Sequence, residues 1–256
     1  MNTAVSVRLW EGPAPGALGD RPEDIPSLDV YRPDPETATG AAMLILPGGA
    51  YTFLSEKSGR QYGLWLAANG ITGFVVNFRL GSNGYRYAAL LADAARALSV
   101  VRGRAADWEV DPVRVGVIGT SAGGHLAALM LTGATGERPA LGVLCYPVIS
   151  LVDPLAHQET RTNFLGDEAA LTRAREQFSA DLHLDEHTPP CFVWHTLADE
   201  EVSADNSLRF ASALSAHGVP YELHLYEKGA HALGLAREQG LYWPEECVRW
   251  LRSHGF

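Results

Sequence analysis

The chain has 256 residues, 46% apolar and 20% charged, a composition that suits one α/β domain with a large core. Its 30 acidic and 20 basic residues give a net charge of −10, which argues against nucleic acid, whose phosphates demand a basic face, and against anionic lipid surfaces. Three scattered cysteines, Cys145, Cys191 and Cys247, exclude a disulfide framework and a CxxC metal or redox pair, and fit a reducing compartment.

The opening stretch MNTAVSVRLWEGPAPG lacks a charged segment followed by an apolar one, so no signal peptide is read there. Without an apolar run of about 18 residues, no membrane span is expected; a cytoplasmic protein is the expectation. Strands are expected over 5–10 and 27–32, within a Gly-, Pro- and acid-rich region that otherwise reads as loop. The apolar run 42–46 stops at Pro47-Gly48-Gly49. A helix over 57–69, closed by Gly70, leads to a strand within 71–79. Residues 87–102 repeat Leu90, Leu91, Ala94, Ala95 and Leu98 at helical spacing. A strand over 113–119, a helix over 121–131 and a strand over 141–149 follow. The stretch 152–190 breaks the alternation; it holds one expected helix, about 168–178, and reads as a cap-like insertion over the sheet. Strands at 191–196 and 221–227 then alternate with helices at 203–216 and 242–252. This order predicts a single domain over 1–256 with a mostly parallel sheet of about eight strands, helices on both faces and right-handed crossovers.

The strongest chemical signal is Gly119-Thr120-Ser121-Ala122-Gly123, placed between an expected strand and an expected helix. A strand turning sharply into a helix strains its middle residue and needs small neighbours, the context of a GxSxG nucleophile elbow. Ser121 then projects from the C-terminal edge of the sheet, beside the positive end of a helix. The N–H of Ala122 is one expected oxyanion donor. A second is expected from Leu46-Pro47-Gly48-Gly49-Ala50-Tyr51, with Gly49 and Ala50 preferred and Gly48 as the spare.

Of nine histidines, His231 is the expected base: it follows the last strand in a loop of small residues. His125 lies one turn after Ser121 and reads as a packing or supporting residue; His195 falls within a strand. His183 and His187 are followed at once by Pro189-Pro190, so no metal helix is expected there. The acid should come between Ser and His in chain order. Asp199, Glu200 and Glu201 all qualify, with Asp199 closest to the strand end and the two glutamates suited to a solvated helix start.

Five stretches carry a resemblance to a family: LPGGAY (46–51), DAARAL (93–98), DPVRVGVIGTSAGGHLA (111–127), TLADEEV (196–202) and GVPYELHLYEKGAHALGL (218–235). Together they resemble the small acetyl-esterase and BD-FAE-like branch of the α/β hydrolases, related to hormone-sensitive-lipase-type esterases and close to feruloyl and acetyl-xylan esterases. The resemblance implies an α/β-hydrolase fold and a triad of Ser121, Asp199 and His231. Pro47 replaces the histidine that opens the oxyanion motif in many relatives, Ala50 replaces its third glycine, and Ala198 stands where many have a further aspartate.

The expected activity is hydrolysis of short acyl esters, acetyl groups on sugars among them, through an acyl-enzyme. No cofactor, metal, nucleic acid or membrane partner is expected beside the small-molecule ester; a homo-oligomer stays open. The rival readings are a serine peptidase of the prolyl-oligopeptidase type and an inactive hydrolase fold that binds a ligand. The many charges of 152–190 read as solvated surface and favour a short acyl group over a long one.

Overall fold

The computed structural model describes residues 5–256; residues 1–4, part of the stretch read for a leader, lie outside the described residues. Strands β1 (Val5–Arg8) and β2 (Ser27–Tyr31) run antiparallel and lead into a parallel series: β3 (Ala42–Leu46), β4 (Thr72–Asn77), β5 (Val115–Thr120), β6 (Gly142–Cys145), β7 (Cys191–Thr196) and β8 (Tyr221–Tyr226). Their order across the eight-stranded sheet is β1-β2-β4-β3-β5-β6-β7-β8. Every residue of β3, β5 and β7 is buried. That is why these strands read as unbroken apolar runs: a parallel strand covered on both faces has no polar side to show.

Among the described residues there are seven α-helices: α1 (Arg60–Ala68), α2 (Tyr87–Gly103), α3 (Ser121–Leu131), α4 (Gln158–Leu165), α5 (Thr172–Gln177), α6 (Asp205–Ala216) and α7 (Trp243–Ser253). On one face of the sheet, Leu90, Leu98, Leu126, Leu129 and Phe210 of α2, α3 and α6 join the core; on the other, Tyr62 and Leu66 of α1 meet Trp243 and Leu251 of α7. Trp194 of β7 stacks on Trp243 with ring centres 5.0 Å apart. Among the described residues, no helix is long and apolar enough to cross a membrane.

Two expectations need correction. Strand β6 ends at Cys145 rather than near 149, because Tyr146 turns to φ 38° and Pro147 has no N–H for a ladder. The 152–190 stretch carries two helices, α4 and α5, joined by a 3-10 turn over Gly166–Ala170. Helix α4 escapes a sequence reading because QETRTNFL mixes weak helix formers with few apolar positions. Its cap is unusual too: the His157 ring accepts the Thr160 N–H at 3.3 Å. Phe164 and Leu165 at its end are fully buried and seat the helix on the core.

Candidate active site

Strand β5 sits at the middle of the sheet and breaks directly into α3 at Ser121, whose φ is 52°. The glycines around it make that turn fit. A Cβ at Gly119 would stand 2.3 Å from the Gly123 carbonyl oxygen, and one at Gly123 would stand 2.1 Å from the Leu46 oxygen at the end of β3. Either contact would push α3 off the sheet. The Ser121 side chain is held at the strand ends, with only 8% of the residue exposed.

His231 and Asp199 reach Ser121 from neighbouring strands. The Ser121 hydroxyl lies 2.8 Å from His231 Nε2, and His231 Nδ1 lies 2.6 Å from Asp199 Oδ2. Asp199 follows β7 and His231 follows β8. The His231 loop is tied down by the Thr196 hydroxyl, which donates to the Gly229 carbonyl at 2.9 Å, and by Tyr62 and Trp243, which both donate to the Gly234 carbonyl at 3.2 Å. The Tyr146 ring meets the imidazole edge-on at 5.0 Å. Among the described residues, the carboxylate bonded to His231 is that of Asp199. Glu201 gives its backbone N–H to Asp199 Oδ1 at 3.0 Å, and Glu200 stays exposed.

Asp199 is supported on every side. Oδ1 accepts the N–H groups of Glu201 and Val202, both at 3.0 Å; Oδ2 accepts His231 and also His195 Nε2 at 3.2 Å. Burial alone would raise its carboxyl, but the hydrogen bonds from His195, His231 and the Val202 backbone outweigh that and hold it well below the usual carboxylate range. The sequence reading assigned His195 no part in this. Its signal was a polar residue closing the otherwise apolar start of β7, four positions before the acid.

Opposite the imidazole stands the loop after β3. Gly49, Ala50 and Tyr51 have φ values of 127°, 52° and 60°. Gly49 has no alternative, since a Cβ there would lie 2.2 Å from the Phe53 carbonyl oxygen. Among the described residues the N–H groups of Gly49 and Ala50 have no acceptor, and the Ala122 N–H belongs to the first turn of α3, where helical N–H groups have no partner of their own. Gly48 differs from the expectation that named it as a spare donor: its N–H is engaged by the Thr120 hydroxyl at 2.8 Å and by Ser58 Oγ at 3.2 Å. His125 is the buried support behind this loop. Its Nδ1 accepts the Tyr51 hydroxyl and its Nε2–H donates to the Phe178 carbonyl, both at 2.8 Å. Burial pushes the ring down to about 4, so it is neutral at pH 7.

Between these walls lies a cleft of about 190 Å³, lined by Ser121, His231, Gly49, Ala50, Phe53 and Tyr146, with Lys57, His157, Glu159 and Glu201 toward its rim. Leu151, Phe164, Leu165 and Phe178 are buried in the core and do not line it. Among the described residues, no group of three or more His, Cys, Asp or Glu side chains is placed to hold a metal ion. The arrangement joins a hydroxyl, a base bonded to it, an ionised group orienting that base, and free N–H groups across the cleft: the parts needed for nucleophilic acyl transfer.

The model of the BD-FAE family matches residues 28–214. An acetyl ester-xyloside bifunctional hydrolase from Caldicellulosiruptor lactoaceticus superposes with a TM-score of 0.89 at 36% identity, covering 98% of this chain and 97% of that one. The acetylxylan esterase of Xylanibacter ruminicola is 35% identical over 205 residues, 78% of this chain and 42% of its own. The endo-1,4-beta-xylanase B of Butyrivibrio fibrisolvens is 25% identical over 246 residues, 88% of this chain and 38% of its own. The chain thus spans about two fifths of the length of these curated relatives.

Proposed function

The chain belongs to the BD-FAE family and has the α/β-hydrolase fold, and from that premise we propose that it is a serine carboxylesterase acting on short-chain acyl esters, acetyl groups on carbohydrates among them. The observation that carries the reading is the continuous chain Ser121–His231–Asp199, with links of 2.8 and 2.6 Å, drawn from the β5–α3 junction and the loops after β8 and β7 at one edge of the sheet. Ser121 Oγ attacks the ester carbonyl while His231 Nε2 takes its proton. The carbonyl oxygen, now negative, is met by the N–H groups of Gly49, Ala50 and Ala122. The tetrahedral adduct collapses, His231 returns the proton to the departing alcohol, and the acyl group stays on Ser121. Water then attacks the acyl-enzyme with His231 as base again, and the acid leaves. Asp199 stays ionised throughout, orienting the imidazole and stabilising its charged form.

The small cleft supports a short acyl group, because Phe164, Leu165 and Phe178 of the 152–190 stretch are committed to the core and do not line it. The acetylxylan esterase and the acetyl ester-xyloside hydrolase among the similar proteins support an acetylated sugar as the natural ester. The test is a panel of p-nitrophenyl esters from acetate to decanoate, with acetylated xylo-oligosaccharides beside them and Ser121→Ala as control. Activity should peak at acetate or butyrate and be low by decanoate. Ser121→Ala should fall below about a hundredth of the parent turnover and lose labelling by a fluorophosphonate probe. A peak at octanoate would overturn the short-acyl reading, and an active Ser121→Ala would overturn the nucleophile.

A further inference from the structure

Ala50 and Tyr51 are the unusual residues of the oxyanion-side loop. Both are non-glycine residues in the left-handed region, and they follow directly on Gly49 at φ 127°. Such a run persists only where the surroundings over-determine it. Part of that determination is local: Thr52 and Phe53 donate their N–H groups to the Gly49 carbonyl at 2.8 and 3.2 Å. Ser82 adds two bonds, from its N–H to the Tyr51 carbonyl at 3.3 Å and from its hydroxyl to the Thr52 carbonyl at 2.7 Å, and a further part comes from a distant element. Helix α4 lies against the loop, and the side-chain amide of Asn163 donates to the Ala50 carbonyl at 2.9 Å and to the Thr52 hydroxyl at 2.8 Å. The Thr52 hydroxyl in turn donates to Glu159 on the same helix at 2.7 Å. The fit is tight on the other side as well, since a Cβ at Gly81 would stand 2.4 Å from the Asn163 carbonyl oxygen.

We infer that Asn163 is a positioning residue for the oxyanion hole, and that α4 serves as the mould of that hole. The inference rests on the acyl-transfer reading of Ser121. The bond from Asn163 to the Ala50 carbonyl fixes the peptide plane that follows Ala50. With the preceding plane pinned at Gly49, the Ala50 N–H is left pointing one way, toward the cleft that Ser121 also lines. Only a donor serves at this place. An aspartate has nearly the same shape, but it would turn an acceptor toward the Ala50 carbonyl and repel it. The loss would fall on the transition state, because an oxyanion donor strengthens its bond as negative charge develops and contributes little to holding the neutral ester.

The experiment measures kcat and KM on p-nitrophenyl acetate for the parent, Ser121→Ala, Asn163→Asp and Asp153→Asn, with thermal unfolding of each. Asp153 anchors α4 away from the loop, through Arg161 at 3.0 Å, and reports what simple loosening of the helix does. Asn163→Asp should lower kcat at least about tenfold, short of the 10²–10³ seen when an oxyanion donor is removed outright, with KM within about twofold. Asp153→Asn should lower the unfolding temperature and keep kcat within about twofold. If Asn163→Asp does not fold, Asn163→Ser carries the same measurement, with the same split between kcat and KM. An unchanged kcat in the Asn163 variant, a loss expressed in KM, or an equal kcat loss in Asp153→Asn would overturn the inference. An inactive parent, or an active Ser121→Ala, would instead overturn the acyl-transfer reading, so the two failures are distinguishable.

Discussion

On one side of Ser121, His231 and Asp199 stand on loops that leave the adjacent strands β8 and β7, and most of their supports come from those same loops and strand ends, with Tyr62 of α1 and Trp243 of α7 holding the Gly234 carbonyl. On the other side, Gly49 and Ala50 stand on the loop after β3, and beside its local bonds it is shaped by α3 and α4, at His125 and Asn163. The acid–base side is therefore chiefly a product of the sheet: β7 and β8 in register set the two loops side by side. The oxyanion side is a product of packing between parts of the chain more than 70 positions apart, as the separations of 74 for Tyr51–His125 and 113 for Ala50–Asn163 make plain. The first should fail by losing chemistry, the second by losing shape.

The sharpest break in that comparison is at Asp199. Asp199→Asn keeps the size of the side chain but offers an amide that favours the wrong imidazole tautomer, and turnover should fall by about four orders of magnitude. Glu200→Gln and Glu201→Gln should each stay within a few-fold of the parent, because neither side chain is bonded to the base. Steady-state kinetics on p-nitrophenyl acetate compares all three, and a loss at Glu201 equal to that at Asp199 would move the acid.

The same contrast explains which parts could be read from the sequence. Ser121, the glycine loop and His231 each sit inside a short contiguous motif whose chemistry follows from the turn it makes, and the elbow and the loop end expected strands. Asp199 could be read from chain order and its place at the end of β7. Helix α4 could not be read, because its apolar side amounts to Phe164 and Leu165 and its importance lies in a bond to a carbonyl 113 positions upstream. The engagement of the Gly48 N–H was equally hidden, since it depends on how closely β3 and β5 end beside each other. His195 was visible as a residue but not as a partner of Asp199, because that contact requires the chain to fold back within four positions.

The two sides should also separate with pH. His125 on the oxyanion side is held neutral down to about 4 by burial, while in the unfolded chain a histidine takes a proton near 6.5. Between those values the unfolded state binds more protons than the native one, so stability falls as the pH drops through that window. The shift corresponds to about 3 kcal/mol lost by pH 4. Asp199, held low, contributes stability that is present above about 4 and is lost only at lower pH. Urea midpoints at pH 7, 5.5 and 4 check this. His125→Gln can donate to Phe178 and accept from Tyr51 without titrating, and it should flatten most of the loss between pH 6.5 and 4. His157, also lowered, first by burial and then by His231, adds a slope of the same sign that a His157→Asn control removes. An unchanged slope in His125→Gln would show that the buried ring is not the sensitive joint.

The smallest expected effect asks how self-sufficient the acid–base side is. Asp199 Oδ2 is shared by two imidazoles, His231 at 2.6 Å and His195 at 3.2 Å, and the same His195 nitrogen also faces the Val202 carbonyl at 2.9 Å. Both neighbours of that nitrogen are acceptors, so it carries the proton, and Nδ1 accepts from the Ser207 hydroxyl at 2.8 Å. His195 therefore gives Asp199 a divided hydrogen bond, weaker than the one from His231. Removing it leaves the acid with His231 and two backbone donors. His195→Leu should lower kcat about tenfold, the value of one hydrogen bond to a charged group, with KM little changed. It should also lower the unfolding temperature, because Ser207 and Val202 lose a buried partner. His195→Gln keeps an N–H near the original nitrogen and should recover most of the kcat. Kinetics measured well below the unfolding temperature separate the two consequences. A His195→Leu variant with lower stability but parental kcat would leave His195 as a core residue and make the acid complete without it. A loss that glutamine does not recover would mean that the ring's shape, rather than its donated proton, holds Asp199 in line with His231.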